Sequence, residues 1–172
     1  LPKGTGMVKS VSLFRYATHA PNIEWMVEFC EKLNNFWEDN ALGVNMYQNF
    51  RRFLEDAGLI IQKGNIILPL SHLVKRLGLN SAEAWGLMLV NCSYSPQIGW
   101  YVKNIKSDCF YTKTELISML QSCGVKDRNC NDITSSLQRI LTLPFGNLLG
   151  LGKVTSEGTG KNKEIQFSRM YW

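Results

Sequence analysis

The residue types that could carry out catalysis do not group together along the sequence. His19 and His72 stand apart from each other and from the five cysteines, so no spacing predicts a metal site or a cysteine nucleophile with its base. The main cluster of carboxylates follows one side of a predicted helix, as is typical of a solvated surface: Glu24, Glu28, Glu31, Glu38 and Asp39. We therefore predict a chain with no enzymatic site, no metal and no cofactor.

A second set of side chains has the chemistry to contact DNA. In a helix that ends near residue 142, the helical period places polar residues on the face opposite an apolar stripe. Asn and Gln suit adenine edges, Arg suits guanine or phosphate, and Ser suits either. Basic residues flank this helix in the preceding turn and in a following hairpin, where Arg169 is a further candidate. The predicted DNA-binding residues are Lys126, Arg128, Asn131, Ser135, Gln138, Arg139, Lys153, Lys161 and Lys163.

Local signals in the last third of the chain predict the elements that position these side chains. Thr112 to Glu115 has the capping-box pattern, in which a Thr hydroxyl and a Glu carboxylate close the first turn of a helix. Gly124 is expected to end this helix, and either Asn129 or Asn131 is expected to cap the next one. Two capped helices in succession, joined by a short turn, are typical of a helix-turn-helix.

A hairpin is predicted to follow the second of these helices. Residues 149–155 and 164–170 have the composition of strands, and the polar, glycine-rich residues 157–163 between them are typical of a loop. Helix, turn, helix and basic hairpin is the order of a winged helix. We therefore predict a winged-helix unit over residues 80–172.

The first half of the chain has a similar but shorter order of elements. We predict a lead-in or linker over residues 1–20 and an N-terminal winged-helix-like unit over residues 21–79. The fold class is thus mainly α with small β-hairpins, an α+β fold of tandem winged-helix-like units. The signals of the N-terminal unit are a helix from Pro21 to about Glu38, a helix from Val44 to Ala57, a hairpin from Leu59 to Leu68 and a helix from Ser71 to Leu77. A capping box from Asn80 to Glu83 and a helix starting at Ser95 and Pro96 predict the first two helices of the C-terminal unit.

Composition and charge restrict the classes of protein that fit. Hydrophobic residues make up 45% of the 172 residues and charged residues 19%, which is typical of an ordered globular protein. No apolar run is long enough for a membrane span, no signal peptide is visible, and the unpaired cysteine pattern suits reduced thiols in the cytoplasm. The first residue is Leu rather than Met, so we expect a piece of a longer protein.

The net charge of +5 is unevenly distributed. Residues 1–70 contain seven basic and seven acidic side chains, residues 71–108 four and two, and residues 109–172 eight and five. All of the positive excess therefore lies beyond residue 70, which favours a partner with a phosphate backbone.

Four stretches of the second half resemble a known type of module. They are Ala84-Trp-Gly-Leu-Met-Leu-Val90, Gly99-Trp-Tyr101, Thr112-Lys-Thr-Glu-Leu116 and Leu143-Pro-Phe-Gly-Asn-Leu-Leu-Gly-Leu-Gly152. Over about residues 80–156 the hydrophobic pattern is similar to helical modules that accompany PAPS-reductase-like proteins of bacterial DNA phosphorothioation and phage-defence clusters. The resemblance implies a DNA-modification setting with the sulfur-transfer chemistry done elsewhere. Because the chain lacks a Ser-Gly-Gly nucleotide loop and a cysteine cluster, it implies no catalytic residues here.

Two functions remain open at the level of the sequence. The first is a non-catalytic module that binds double-stranded DNA, or targets to it, as part of a larger bacterial assembly for DNA modification or defence. The alternative is a protein–protein interaction scaffold with the same fold, which would use the wide apolar helix of residues 23–37 as its docking surface. The two differ in salt sensitivity, because contacts to phosphates weaken steeply with salt and burial of apolar surface does not.

Overall fold

Capping residues and prolines decide where most helices of this chain begin. The computed structural model describes residues 12–157 and 164–169. In chain order the elements are α1 (Ile23–Lys32), a 3-10 helix (Leu33–Trp37), α2 (Val44–Asp56), β1 (Ile60–Ile61), β2 (Ile66–Ile67), α3 (Pro69–Leu77), α4 (Ala82–Cys92), α5 (Pro96–Asn104), β3 (Phe110–Thr112), α6 (Lys113–Ser122), α7 (Asp127–Thr142), α8 (Pro144–Asn147), β4 (Lys153–Glu157) and β5 (Glu164–Ser168). The chain is mainly helical with small antiparallel sheets, so the predicted α+β class is confirmed.

The first predicted helix is divided in two. Asn22 caps α1 by accepting a hydrogen bond from the backbone of Trp25, as its position suggests. The α-helix stops at Lys32 because Leu33 has a positive φ of 46°. The following 3-10 helix turns Phe36 back onto Phe29, with ring centroids 5.7 Å apart in an edge-to-face arrangement. A tertiary aromatic contact therefore overrides the continuous helical pattern.

Two predicted helix starts are shifted by a residue or two. Helix α3 begins at Pro69, because proline lacks the N–H that would be unsatisfied there and has the right φ. Ser71 is therefore inside the helix, where its hydroxyl donates to the carbonyl of Leu59. Helix α4 is capped by Ser81 rather than Asn80, and Ser81 also donates to the carboxylate of Glu83.

The last helices and the second sheet follow most of the predicted pattern. The Thr112–Glu115 capping box is present in both directions, and Gly124, with a φ of +82°, lies just beyond the end of α6. Helix α7 starts at Asp127 instead of Asn129 or Asn131. The negative carboxylate of Asp127 interacts favourably with the positive end of the helix dipole and so stabilises the first turn.

The second sheet contains one strand that the pattern did not predict. Strand β3 pairs with β5, and β5 pairs with β4, all antiparallel, so the last strand lies in the centre. Strand β4 begins at Lys153 rather than at residue 149, because Pro144–Asn147 forms α8 and Gly150, with a φ of +68°, lies in the connection that follows. Strand β5 ends at Ser168, two residues before the predicted end.

One hydrophobic core extends through both halves of the described chain. Phe145 of α8 contacts Phe53 of α2 and Trp85 of α4, with ring centroids 6.2 Å and 5.0 Å away. Buried residues from Tyr16 to Phe167 belong to the same cluster. The division at residues 79 and 80 and the tandem winged-helix arrangement stay predictions. Among the described helices, none combines the length and the apolar composition needed to cross a bilayer.

Candidate nucleic-acid interface

Helix α7 separates its apolar and polar side chains onto opposite faces. Ile133, Leu137 and Ile140 are buried against the core. The predicted base-contacting residues lie on the other side of the helix, where Asn131 and Arg139 are exposed and the remaining two are half-buried: Ser135 and Gln138. The 3.6-residue period therefore brings this predicted group together on one face.

A buried polar contact between α5 and α7 fixes the orientation of α7. Gln97 of α5 donates a hydrogen bond from its side-chain amide to the hydroxyl of Ser136, and both residues are buried. The Ser136 hydroxyl in turn donates to the carbonyl of Ile133 at 3.0 Å. Breaking the Gln97 contact would leave a buried polar group without a partner, which is costly. The exposed face of α7 is therefore held in one rotational setting relative to α5.

The turn before α7 lies beside the lead-in segment. Lys126 occupies the N-cap position of α7 and Arg128 lies in its first turn, and both side chains are exposed. A pocket of about 330 Å³ is lined by these two residues, by neighbouring residues of the turn, and by Ser12, Leu13 and Phe14. The start of α7 thus forms a basic edge, and the lead-in segment occupies one side of it.

The hairpin carries the remaining predicted contacts. Lys153 is exposed at the start of β4 and pairs across the sheet with Ser168, which pairs in turn with Phe110 of β3. Phe110 is 70% exposed on this sheet. The sequence pattern did not predict that Phe110 lies on a strand. Lys161 and Lys163 lie outside the described residues.

Arg169 is not on this surface. Its side chain is buried, and Nη1 donates to the backbone carbonyls of Val102 and Ile105 at the end of α5. The expectation that Arg169 contacts DNA from the hairpin is therefore wrong. A strand pattern alone gives no sign of this role, because the carbonyls come from a helix more than sixty positions earlier.

The charge on α7 is mixed. Arg128 and Arg139 are accompanied by Asp127 and by the half-buried Asp132, and Asp127 accepts a hydrogen bond from Gln121 at 3.1 Å. The exposed side chains of Arg128, Asn131 and Arg139 take part in none of the side-chain hydrogen bonds or ion pairs among the described residues. Their donors are therefore available to a partner.

A polar cluster in the first half was missed from the sequence. Arg15 donates to the carboxylate of Asp56 at 2.7 Å and to that of Glu55 at 3.3 Å. Tyr16 donates its hydroxyl to Asp56, and burial together with this carboxylate raises the pKa of Tyr16 well above its usual value. The partners are about forty positions apart, so no local spacing could indicate them.

The metal-ligating side chains are dispersed among the described residues. The described residues contain no group of three His, Cys, Asp or Glu side chains that could hold a metal ion. Burial raises the pKa of Cys30 to about 11 and that of Cys92 well above its usual value, so both thiols are held protonated at neutral pH.

Comparisons of the chain with protein-family models, with curated proteins and with solved structures gave no match. The resemblance to modules of phosphorothioation and phage-defence clusters stays an expectation from the sequence. Function must therefore be argued from the geometry of the chain itself.

Proposed function

We propose that this chain binds double-stranded DNA through α7 and the β4–β5 hairpin. One observation carries the proposal: the cationic and amide side chains of Arg128, Asn131 and Arg139 project from one exposed face without partners among the described residues. Arg15 and Arg52 behave differently, since the side chain of each bonds within the chain. Unpaired donors on one helix face are what base edges and phosphates would satisfy.

The dimensions of α7 suit this role. Its sixteen residues correspond to a length of about 24 Å. The major groove of DNA is wide enough to admit an α-helix. With the N-terminal half of α7 in the groove, Asn131 would read a base edge, and Lys126 and Arg128 would approach phosphates. Lys153 on the hairpin would contact the backbone beside the groove.

The mixed charge sets an upper limit on affinity. Asp127 and Asp132 offset the two arginines of α7, so electrostatic attraction to DNA would come from few phosphate contacts. With about four such contacts, from Lys126, Arg128, Arg139 and Lys153, the logarithm of the binding constant should fall with the logarithm of the salt concentration with a slope of about −3.6. We propose a weakly binding targeting module without catalysis of its own. It would act in the cytoplasm as part of a larger bacterial assembly, in DNA modification or defence.

Fluorescence anisotropy with a labelled duplex tests the proposal. The variant Arg128→Ala/Arg139→Ala is compared with Lys63→Ala/Arg76→Ala, which removes the same charge from exposed positions on other elements. Affinity should drop about tenfold or more in the first variant and less than about threefold in the second. Equal losses of affinity in the two variants would mean that DNA binding depends only on the net charge of the protein. Absence of binding by the wild type at about 50 mM salt would remove the DNA hypothesis.

The alternative, a scaffold that docks a protein through residues 23–37, rests on a narrower surface. Ile23 and Val27 of α1 are 36% and 40% exposed, and Val27 borders a shallow pocket with Leu79. The aromatic side chain of Trp25 on the same helix faces inward, since it contacts Phe50 with ring centroids 5.7 Å apart. If a partner protein binds, a Val27→Asp variant should lose that partner at all salt concentrations, whereas DNA binding should be unchanged.

A further inference from the structure

A second pocket lies between helices α4 and α5 and the end of strand β5, away from the exposed face of α7. Its volume is about 340 Å³, within the range typical of small-molecule sites. Leu89 and Leu151 in its wall are buried, whereas Val90 and Tyr94 at the rim are exposed. The lining residues are Leu89, Val90, Ser93, Tyr94, Val102, Leu151 and Arg169. The pocket thus combines mostly apolar walls with one cationic side chain, Arg169.

The cation is an arginine with incomplete compensation. Arg169 is 8% exposed, yet none of the ion pairs among the described residues involves it. Nη1 bonds the carbonyls of Val102 and Ile105, which places the guanidinium at the negative end of α5. Nε is buried and has no hydrogen-bond partner among the described atoms. A buried charge of this kind is costly unless an anion or further acceptors accompany it.

The field of Arg169 reaches its neighbours. Burial raises the pKa of Tyr101, and the positive charge of Arg169 opposes that rise. The hydroxyl of Tyr101 donates to the carbonyl of Ser168 at 3.2 Å, next to the arginine in the chain. Because Arg169 also lines the pocket, a bound anion would meet its positive charge there.

We propose that this pocket binds a small apolar molecule that carries one carboxylate. A carboxylate matches the guanidinium in charge and in planar geometry, and the walls match an alkyl or aromatic body. A neutral apolar ligand would leave the arginine uncompensated, and a metal cation would be repelled by it. A phosphate would also pair with the guanidinium, but its remaining charged oxygens would lie against Leu89, Val102 and Leu151 without hydrogen-bond donors, which is costly.

The structural role of Arg169 does not compete with this binding role. A guanidinium has five N–H donors in a fixed fork, and the two α5 carbonyls use only Nη1. The same contacts that stabilise the end of α5 thus hold the guanidinium in place for a ligand. None of the residues lining this pocket belongs to the proposed DNA surface, so the two proposals can fail independently.

Isothermal titration of sodium octanoate into the 172-residue chain tests the proposal, with octanol as the uncharged analogue. Octanoate should bind at least about tenfold more tightly than octanol, because only octanoate compensates the guanidinium. Arg169→Met should abolish this preference, whereas octanol binding should remain. Amide chemical shifts of Leu89, Val102 and Arg169 should respond to octanoate before those of α7.

A second pair of variants covers the case in which Arg169→Met does not fold. Val90 lies exposed at the rim, so Val90→Glu adds a repelling charge and Val90→Gln is its neutral match. The glutamate variant should weaken octanoate binding about threefold, and the glutamine variant should leave it unchanged within error. Equal affinity for octanoate and octanol, shifts confined to other regions, or no octanoate binding at millimolar concentration would each overturn the proposal. The proposal would also be overturned if a peptide with a C-terminal Leu bound to the chain and octanoate did not.

Discussion

Helix α1 and helix α7 both carry two distinct faces, but they use them in opposite ways. Aromatic side chains next to the main apolar face of α1 fold inward, where Phe29 and Trp25 contact Phe50. The polar face of α7 points outward, and the side chains of Arg128 and Arg139 bond to no other described residue. The aromatic side chains of α1 are therefore already packed against the protein's own core. An unpaired polar face is the better indicator of a partner.

The largest expected effect concerns the aromatic core beside α1. Phe50 is fully buried and contacts Trp25, Phe29, Phe36 and Phe53. Phe50→Ala should reduce the free energy of unfolding by about 4 kcal/mol, through lost transfer energy and an unfilled cavity. Urea denaturation measures the change. Arg139→Ala on α7 serves as the contrast and should stay within about 0.5 kcal/mol of the wild type. A large loss in Arg139→Ala would show that α7 is not the free face described here.

Asp56 sharpens the contrast between paired and unpaired charges. Its side chain accepts from Arg15 and Tyr16, and only 8% of it is exposed. Asp56→Asn should lower the free energy of unfolding by about 2 kcal/mol, because the half-buried guanidinium loses its closest counter-charge. Glu55→Gln is the matched control: that carboxylate lies farther from Arg15 and is more exposed, so the loss should be under about 1 kcal/mol. Similar losses in both variants would contradict the assignment of Asp56 as the main partner.

The pH dependence of stability should be concentrated at alkaline pH. The folded chain holds the pKa of Tyr16 well above its usual value through burial and the neighbouring Asp56, and burial raises that of Tyr101 as well. A phenol with a raised pKa in the folded state stabilises the fold below its unfolded pKa and loses that contribution as pH rises. The free energy of unfolding should therefore fall above about pH 10.

Variants of these tyrosines identify the source of the alkaline loss. Tyr101→Phe removes one titrating group at the cost of a single hydrogen bond to the Ser168 carbonyl. Its unfolding free energy should fall less steeply between about pH 10 and about pH 12 than that of the wild type. Thermal unfolding followed by circular dichroism across this range measures the slopes. An unchanged slope would assign the alkaline loss to Tyr16 and the buried thiols.

The smallest expected effect belongs to the hairpin. Lys153 is one exposed cation at the start of β4, so it would contribute one phosphate contact to the proposed DNA complex. Lys153→Ala should make the slope of log affinity against log salt less negative by about 0.9 and leave stability unchanged. Anisotropy titrations at several salt concentrations measure it. A slope unaltered by this variant would restrict the DNA surface to α7.

Part of the candidate site could be predicted because its signals are local. Helical periodicity alone places Asn131, Ser135, Gln138 and Arg139 on one face, since each side chain direction follows from the position of its neighbours along the helix. The start of α7 at Asp127 was missed, because several polar residues in a row could each have capped it. Arg169 was misplaced because its partners lie far away in the chain.

The sequence by itself determined the helix ends that are stabilised by interactions within a single helical turn. Asn22 and the Thr112–Glu115 box close helix starts through bonds to residues three positions away, and Gly124 accepts the positive φ that follows α6. These interactions need no knowledge of the rest of the chain. The mainly helical class, with short hairpins, follows from them.

Only the tertiary structure decided which side chains remain available. Strand β3 exists because β5 supplies its hydrogen-bond partners, and Trp25 and Phe29 of α1 face inward because α2 provides Phe50 as their aromatic neighbour. Asp56 and Arg169 are held by groups about forty and more than sixty positions away. Burial depends on the sum of contacts from distant segments, and periodicity within one segment carries no information about that sum.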